Sequence, residues 1–159
     1  MNAADDGTAV GRTTVERRGD REIVVTRWFD APARLVFEAW SKPELFRQWW
    51  VPRSMGMTLY DCEMDVRTGG TYRLNYGEGM DFYGRYVEVV PGSRIVWTND
   101  EGGDDGALTT VTFEETDGRT LLVMTERYPS AEALEAEGGA ADATHETFSQ
   151  LEELLGTLA

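Results

Sequence analysis

The sequence predicts an α+β fold: a curved antiparallel sheet of six to seven strands wrapped around one long C-terminal helix, with two short helices after the first long strand. Three observations carry this. Ala141, Thr144, Phe148, Leu151, Leu155 and Leu158 recur at alternating three- and four-residue steps, so one helical face is continuously apolar. Runs rich in β-branched and aromatic residues recur between turn signals such as Pro91-Gly92 and Asp117-Gly118. Between the first such run and Pro52 stand two proline-marked helical segments carrying Trp40, Trp49 and Trp50.

Residues 1–12, small and polar with Asp5, Asp6, Gly7 and Gly11, read as a disordered tail, and residues 13–159 as a single domain. Thr13 to Arg17 can form a strand that turns at Gly19-Asp20 into Arg21 to Phe29, where Ile23, Val24, Val25, Thr26, Trp28 and Phe29 favour an extended chain. Asp30 is placed to cap a helix that Pro32 opens, and Leu35, Val36, Ala39 and Trp40 give that helix one apolar face. Ser41 as a cap and Pro43 in the first turn start a second helix, which Pro52 stops after Trp49-Trp50.

Met55 to Val66 reads as one strand, with Met57 and Leu59 on one face and Tyr60, Cys62 and Met64 on the other. After a turn or bulge at Gly69-Gly70, Tyr72, Leu74 and Tyr76 alternate with Arg73 and Asn75, a half-buried strand with a clear apolar face. Gly77 to Asp81 is a turn, and Phe82 to Val90 and Ser93 to Asn99 are strands parted by Pro91-Gly92. Asp100 to Gly106 carries only glycine and acid, which predicts an exposed, mobile loop. Leu108 to Glu115 and Arg119 to Tyr128 form a hairpin on Asp117-Gly118; Leu121 through Met124 is apolar on both faces and leaves its register open. A connection with a helical turn at Ala131 to Glu137 leads into the last helix, Ala140 to Leu158, whose apolar seam is about 25 Å long at 1.5 Å per residue. The order is one long strand, two short helices, six further strands and a helix.

The succession of a strand, Asp30-Ala31-Pro32, a helix ending in Ala39-Trp40, Lys42-Pro43-Glu44 and Arg47-Gln48-Trp49-Trp50-Val51-Pro52 closely resembles the domain family named for the activator of the heat-shock protein 90 ATPase. Gly69-Gly70-Thr71-Tyr72-Arg73, the run Gly84 to Pro91, Arg94-Ile95-Val96-Trp97-Thr98 and Thr110-Val111-Thr112-Phe113 fit the same pattern in the same order, so the resemblance spans about Glu22 to Leu158. It implies the helix-grip fold of the SRPBCC or START-like superfamily, which includes polyketide cyclases and the birch-pollen allergen. That fold hosts binders, enzymes and co-chaperones, so the resemblance alone does not choose among them. The family's last helix usually brings a methionine or tryptophan, preceded by glycine, where Ala143-Thr144 stand here; the smaller, hydroxyl-bearing Thr144 should enlarge or polarise a cavity at that end. The chaperone-activating members also carry a separate N-terminal module, for which residues 1–21 are too short.

Composition narrows the classes of function. A chain of 159 residues, 41% hydrophobic and 28% charged, fits one domain that buries roughly 70% of its unfolded surface. A formal net charge of −14 argues against nucleic acid and against anionic membranes as partners. The lone cysteine, Cys62, excludes an internal disulfide. No apolar run approaches the roughly 20 residues of a membrane span, and there is no signal-peptide core, so a cytoplasmic location is expected.

One histidine and one cysteine are too few for a structural zinc site, and the Asp100 to Asp105 acids lack calcium-loop spacing, so no metal and no cofactor is expected. Cys62, between Asp61 and Glu63, should have a raised thiol pKa and behave as a small packed residue rather than a nucleophile. His145 lies beside the seam of the last helix, facing solvent or a cavity rim, with no triad motif near it. Gly77-Glu78-Gly79 falls between strands and is not a dinucleotide or phosphate loop.

Aromatic residues remain. Trp40, Trp49, Trp50, Tyr72, Tyr76, Tyr83, Tyr86, Trp97 and Phe148 are many for one small domain, and ordinary core packing accounts for about half of them. A long helix across a curved sheet, closed at one end by short helices, leaves an internal space that the others can line. The expected function is non-enzymatic binding of a small hydrophobic or aromatic molecule between sheet and C-terminal helix. Trp40, Trp50, Met57, Tyr72, Leu74, Tyr76, Tyr86, Trp97, Thr144 and Phe148 are the candidate ligand-binding residues. No catalytic residue is assigned. A cyclase, dehydratase or resistance-type enzyme and a chaperone-related interaction module are the alternatives, and a homodimer is left open.

Overall fold

The computed structural model describes residues 13–100, 106–136 and 140–158. The tail expected at 1–12, residues 101–105 of the acidic loop, Glu137 at the end of the expected helical turn, and the Ala141 side chain of the seam lie outside the described residues.

Eight strands, rather than six or seven, form one antiparallel sheet: β1 (Thr13–Arg18), β2 (Glu22–Phe29), β3 (Asp61–Met64), β4 (Thr71–Asn75), β5 (Asp81–Val90), β6 (Arg94–Thr98), β7 (Leu108–Thr116) and β8 (Arg119–Arg127). Their spatial order is β1-β2-β8-β7-β6-β5-β4-β3. Every neighbour is a hairpin partner except β2 and β8, whose pairing (Val25 opposite Met124) brings the end of the meander back to its beginning. The strand beyond that count is β1, at the Thr13 to Arg17 segment that the sequence allowed as a strand; it pairs with β2 along its whole length although five of its six residues are exposed. Backbone pairing holds it, and an exposed strand leaves no alternation in the sequence.

The two short helices between β2 and β3 are α1 (Ala33–Ser41) and α2 (Pro43–Trp49). Their apolar faces are as expected, with Leu35, Val36, Ala39 and Trp40 buried on α1 and Phe46 and Trp49 on α2. Their caps differ. Pro32, not Asp30, is the N-cap of α1, and the Ala33 N–H is taken by the Glu115 carboxylate from β7 at 2.9 Å. Ser41 is the last residue of α1, and Lys42 precedes Pro43 without any side-chain cap. A tertiary acceptor has replaced the local one.

The expected strand from Met55 to Val66 shrinks to β3. Pro52 leads into a short 3-10 turn at Arg53–Met55, and Gly56 closes it at φ 64°, the left-handed region where only glycine is unstrained. Ladder pairing resumes only at Asp61, opposite Asn75. The β7–β8 hairpin turns on Asp117 (φ 53°) and Gly118 (φ 80°), which suits a two-residue loop with positive φ at both positions. The open register of β8 resolves with Thr120, Leu122 and Met124 buried, and Leu121 and Val123 half-buried on the other face.

A short helix, α3 (Ala131–Ala136), precedes α4 (Ala140–Leu158). The seam of α4 packs on the sheet: Phe148, Leu151 and Leu155 are at most 3% exposed, and the Phe148 ring meets Phe29 edge-on at 5.9 Å. Beside it, Arg27 of β2 is 2% exposed and donates to Glu152 of α4 at 2.6 Å and to Thr13 of β1 at 2.7 Å. Among the described residues no helix is long and apolar enough to cross a membrane.

Candidate functional site

Helix α4 does not fill the whole concave face of the sheet. Toward its N-terminal half, and closed at one end by α1 and α2, lies a cavity of about 360 Å³. Each wall follows from a local pattern already described. Alternation on β4 turns Tyr72 and Leu74 inward and sends Arg73 outward to Asp81, and Tyr76 continues the inner face just past the strand. On β5, Phe82, Gly84 and Tyr86 share the inner parity until the register shifts between Tyr86 and Glu88. Val87, on the outer parity, is 51% exposed, and beyond the bulge Val89 is turned inward and half-buried.

Gly84 stands opposite Tyr72 in the β4–β5 ladder, and a Cβ there would collide with the Thr98 carbonyl oxygen and the Tyr72 ring. Its absence lets the Tyr72 hydroxyl donate to Thr98 O at 2.7 Å, while Asn99 Nδ2 donates to that hydroxyl at 3.1 Å. The two aromatic rings nearest this corner, Tyr72 and Tyr86, lie 5.6 Å apart.

The helical end wall is a cluster of indoles. Trp40 contacts Trp49, Trp50, Trp97 and Phe148 with centroid distances of 4.8 to 6.3 Å. Trp49 is fully buried, donates its indole N–H to Ala39 O at 2.9 Å and does not line the cavity; Trp50 does, with Phe46 stacked on it at 4.7 Å. The chain from Trp50 to Met55 passes over the cavity as a strap, and α4 holds it by backbone contacts. Gln150, 4% exposed, donates to Trp49 O and Val51 O at 2.9 Å each and accepts the Arg53 N–H at 2.9 Å. Glu146 accepts the Ser54 N–H at 3.0 Å and its hydroxyl at 2.5 Å, and these bonds hold its carboxyl below the usual carboxylate range. Met55 and Phe82 line the cavity and are also exposed, which places its mouth between the strap and the start of β5.

All ten residues singled out from the sequence border this one space: Trp40 from α1, Trp50 and Met57 from the segment after α2, Tyr72, Leu74 and Tyr76 from β4 and its end, Tyr86 from β5, Trp97 from β6, and Thr144 and Phe148 from α4. The structure adds Met64, Phe82, Ile95, Asn99, Met124 and Glu126, among others. Met124 and Glu126 were not legible because the β8 register was open, and Phe82 because it begins a strand. Tyr83 points outward and His145 is exposed.

The wall is chemically quiet. Burial pushes the Tyr76 hydroxyl up to about 12, with Trp50 as an opposing hydrogen-bond partner, and burial likewise raises Tyr86. Cys62, half-buried with its sulfur 3.4 Å from that of Met64, is pushed up to about 11; burial is the main cause, rather than the flanking acids, and Arg47 opposes it. Both tyrosines therefore stay protonated near neutrality. Among the described residues no group of three or more His, Cys, Asp or Glu is placed to hold a metal ion. The described lining contains one carboxylate, Glu126, and no histidine, lysine or arginine.

Solved structures share this architecture. A protein from Rhodobacter sphaeroides superposes with a TM-score of 0.80 at 23% identity, covering 93% of this chain and 100% of its own. A Mycobacterium smegmatis protein gives a TM-score of 0.74 at 24% identity over 93% of this chain and 100% of its own. An uncharacterised Rhizobium leguminosarum protein gives 0.69 at 29% identity over 92% and 99%. No curated protein matches the chain. The family model described as activator of Hsp90 ATPase homolog 1-like protein matches residues 30–156, and with the helix-grip architecture in hand, the chain belongs to that family of ligand-binding or interaction domains.

Proposed function

We propose that this domain binds a small, predominantly apolar aromatic molecule in the cavity between sheet and α4, without acting chemically on it. One observation carries the reading: an aromatic-walled space of about 360 Å³ stands open where a packed interior would leave few voids larger than a water molecule. That volume falls in the range of about 300–1,000 Å³ usual for small-molecule sites, and its few polar groups are set into apolar walls as in such sites. The predominance of aromatic and aliphatic side chains in the described lining favours a binder over an enzyme of the same superfamily. The cytoplasmic location and the single-domain organisation remain part of the proposal.

The test is a titration with N-phenylnaphthylamine, an uncharged fluorescent probe. One equivalent should bind the native protein with enhanced probe emission and quenched tryptophan emission, since Trp40, Trp50 and Trp97 all face the space. Trp97→Ala, checked for an unchanged unfolding midpoint, should weaken binding by about tenfold, in line with losing one aromatic wall. No saturable binding would leave the interaction module as the better account, with Tyr83 and Val87 on the outer face of β5 as its exposed apolar residues.

A further inference from the structure

The charge and hydrogen-bond pattern of the wall narrow the class of ligand, taking the cavity-binding reading as its basis. Of the charged residue types, the described lining contains one carboxylate, Glu126, and no lysine, arginine or histidine. The nearby arginines are engaged elsewhere: Arg47 with the carbonyls of Leu59 and Tyr60, and Arg53 of the strap with Glu153. The stretches of sequence adjoining the lining residues Asn99 and Thr144, residues 100–106 and 135–143, carry acidic residues and no basic one. The whole chain has a formal charge of −14. A ligand anion entering this wall would lose its hydration and meet no compensating charge, so it would be excluded or would enter only after taking up a proton.

The polar groups are sorted just as sharply. Tyr72 Oη is already engaged by Thr98 and Asn99. Tyr86 differs: it lines the cavity, is 5% exposed, and its hydroxyl makes no hydrogen bond to any described residue. A tyrosine hydroxyl in a buried wall usually has a partner; this one retains accessible surface and so has a donor to offer among mostly apolar lining residues. We infer that the site takes an uncharged aromatic molecule bearing a hydrogen-bond acceptor, a ketone or ether oxygen, which the Tyr86 hydroxyl meets, and that it excludes the corresponding carboxylate.

Three naphthalenes substituted at the same ring position separate the terms: the methyl ketone (acetylnaphthalene), the ethyl compound of like shape, and the carboxylate (naphthoate). Each is titrated into the full chain at about pH 8, followed by tryptophan quenching. The ketone should bind about fivefold tighter than ethylnaphthalene, the worth of one net hydrogen bond. Naphthoate should bind at least about tenfold weaker than the ketone and recover as pH falls toward its own carboxyl range, where it becomes uncharged. In Tyr86→Phe, which keeps the ring, the ketone's advantage over ethylnaphthalene should vanish. If none of the three binds, the cavity-binding reading fails and this inference with it. If all three bind alike, or naphthoate binds as well as the ketone, the cavity reading stands and the charge selection is overturned. Persistence of the ketone's advantage in a folded Tyr86→Phe would remove Tyr86 as the donor.

Discussion

Gly84 and Tyr72 act as a pair. Because glycine faces the ring across the β4–β5 ladder, the phenol lies flat over the neighbouring backbone and its hydroxyl reaches the Thr98 carbonyl. The inner face thereby gains a tyrosine whose polar end is satisfied by the sheet, leaving its ring to the cavity. A methyl at position 84 would push against a backbone carbonyl, which cannot rotate aside as a side chain could. Gly84→Ala should therefore destabilise the domain by about 1–3 kcal/mol, the usual cost of overpacking. Chemical denaturation checks this, and a variant as stable as the parent would show that the backbone at Thr98 can shift aside.

At the scale of elements, α4 does two jobs with two faces. Its apolar seam is core: Phe148→Ala or Leu151→Ala should cost about 2–5 kcal/mol in an unfolding titration, since both side chains are essentially fully buried. Its neighbouring polar positions, Glu146 and Gln150, hold the strap through backbone groups of Trp49 to Ser54. The Glu146 tether is pH-dependent. Its carboxyl is held low in the folded state, so the tether's contribution is complete above the ordinary glutamate pKa and is lost as pH falls through the depressed folded value. Amide exchange at Ser54, corrected for intrinsic rates, should therefore accelerate between about pH 5 and pH 3 before the sheet amides do. Simultaneous loss of both would mean that the strap has no opening of its own.

Over the whole molecule, polar and apolar chemistry are divided along α4. One region holds the aromatic cavity, and another holds the buried cation Arg27, which joins β1, β2 and α4 through Thr13 and Glu152. Glu152 is partly open to solvent while Arg27 is not, so the two halves of the pair are not equivalent. Glu152→Ala strands a buried guanidinium and should destabilise by about 1–3 kcal/mol. Arg27→Met removes the charge, keeps most of the packing volume and should cost less. Thermal unfolding of the two variants side by side decides it, and a larger loss in Arg27→Met would mean that the pair itself is strongly stabilising. The acidic surface around this frame bears on which ligands approach, and the closed β2–β8 pairing holds together elements distant in sequence.

Features with a repeating period or fixed backbone chemistry were readable from the residues alone. The α4 seam, the α1 face, the Tyr72–Leu74–Tyr76 alternation, the stop at Pro52 and the Asp117-Gly118 hairpin were legible because each arises within one element. The inward set of aromatics followed once those faces were laid on a helix-grip frame, including the choice of Trp50 over Trp49. What depends on a partner far along the chain was not legible. Glu115 replaces Asp30 at the start of α1 because the β7 end happens to lie there. The stretch from Arg53 to Leu59 does not join the sheet because Pro52 and Gly56 turn it while Gln150 and Glu146 bind the amides of Arg53 and Ser54. The bulge after Tyr86 resets which side chains of β5 face inward. Above all, that the aromatic residues surround a space instead of filling it emerges only in three dimensions, since void volume depends on how far α4 stands from the sheet, a distance that no local pattern encodes.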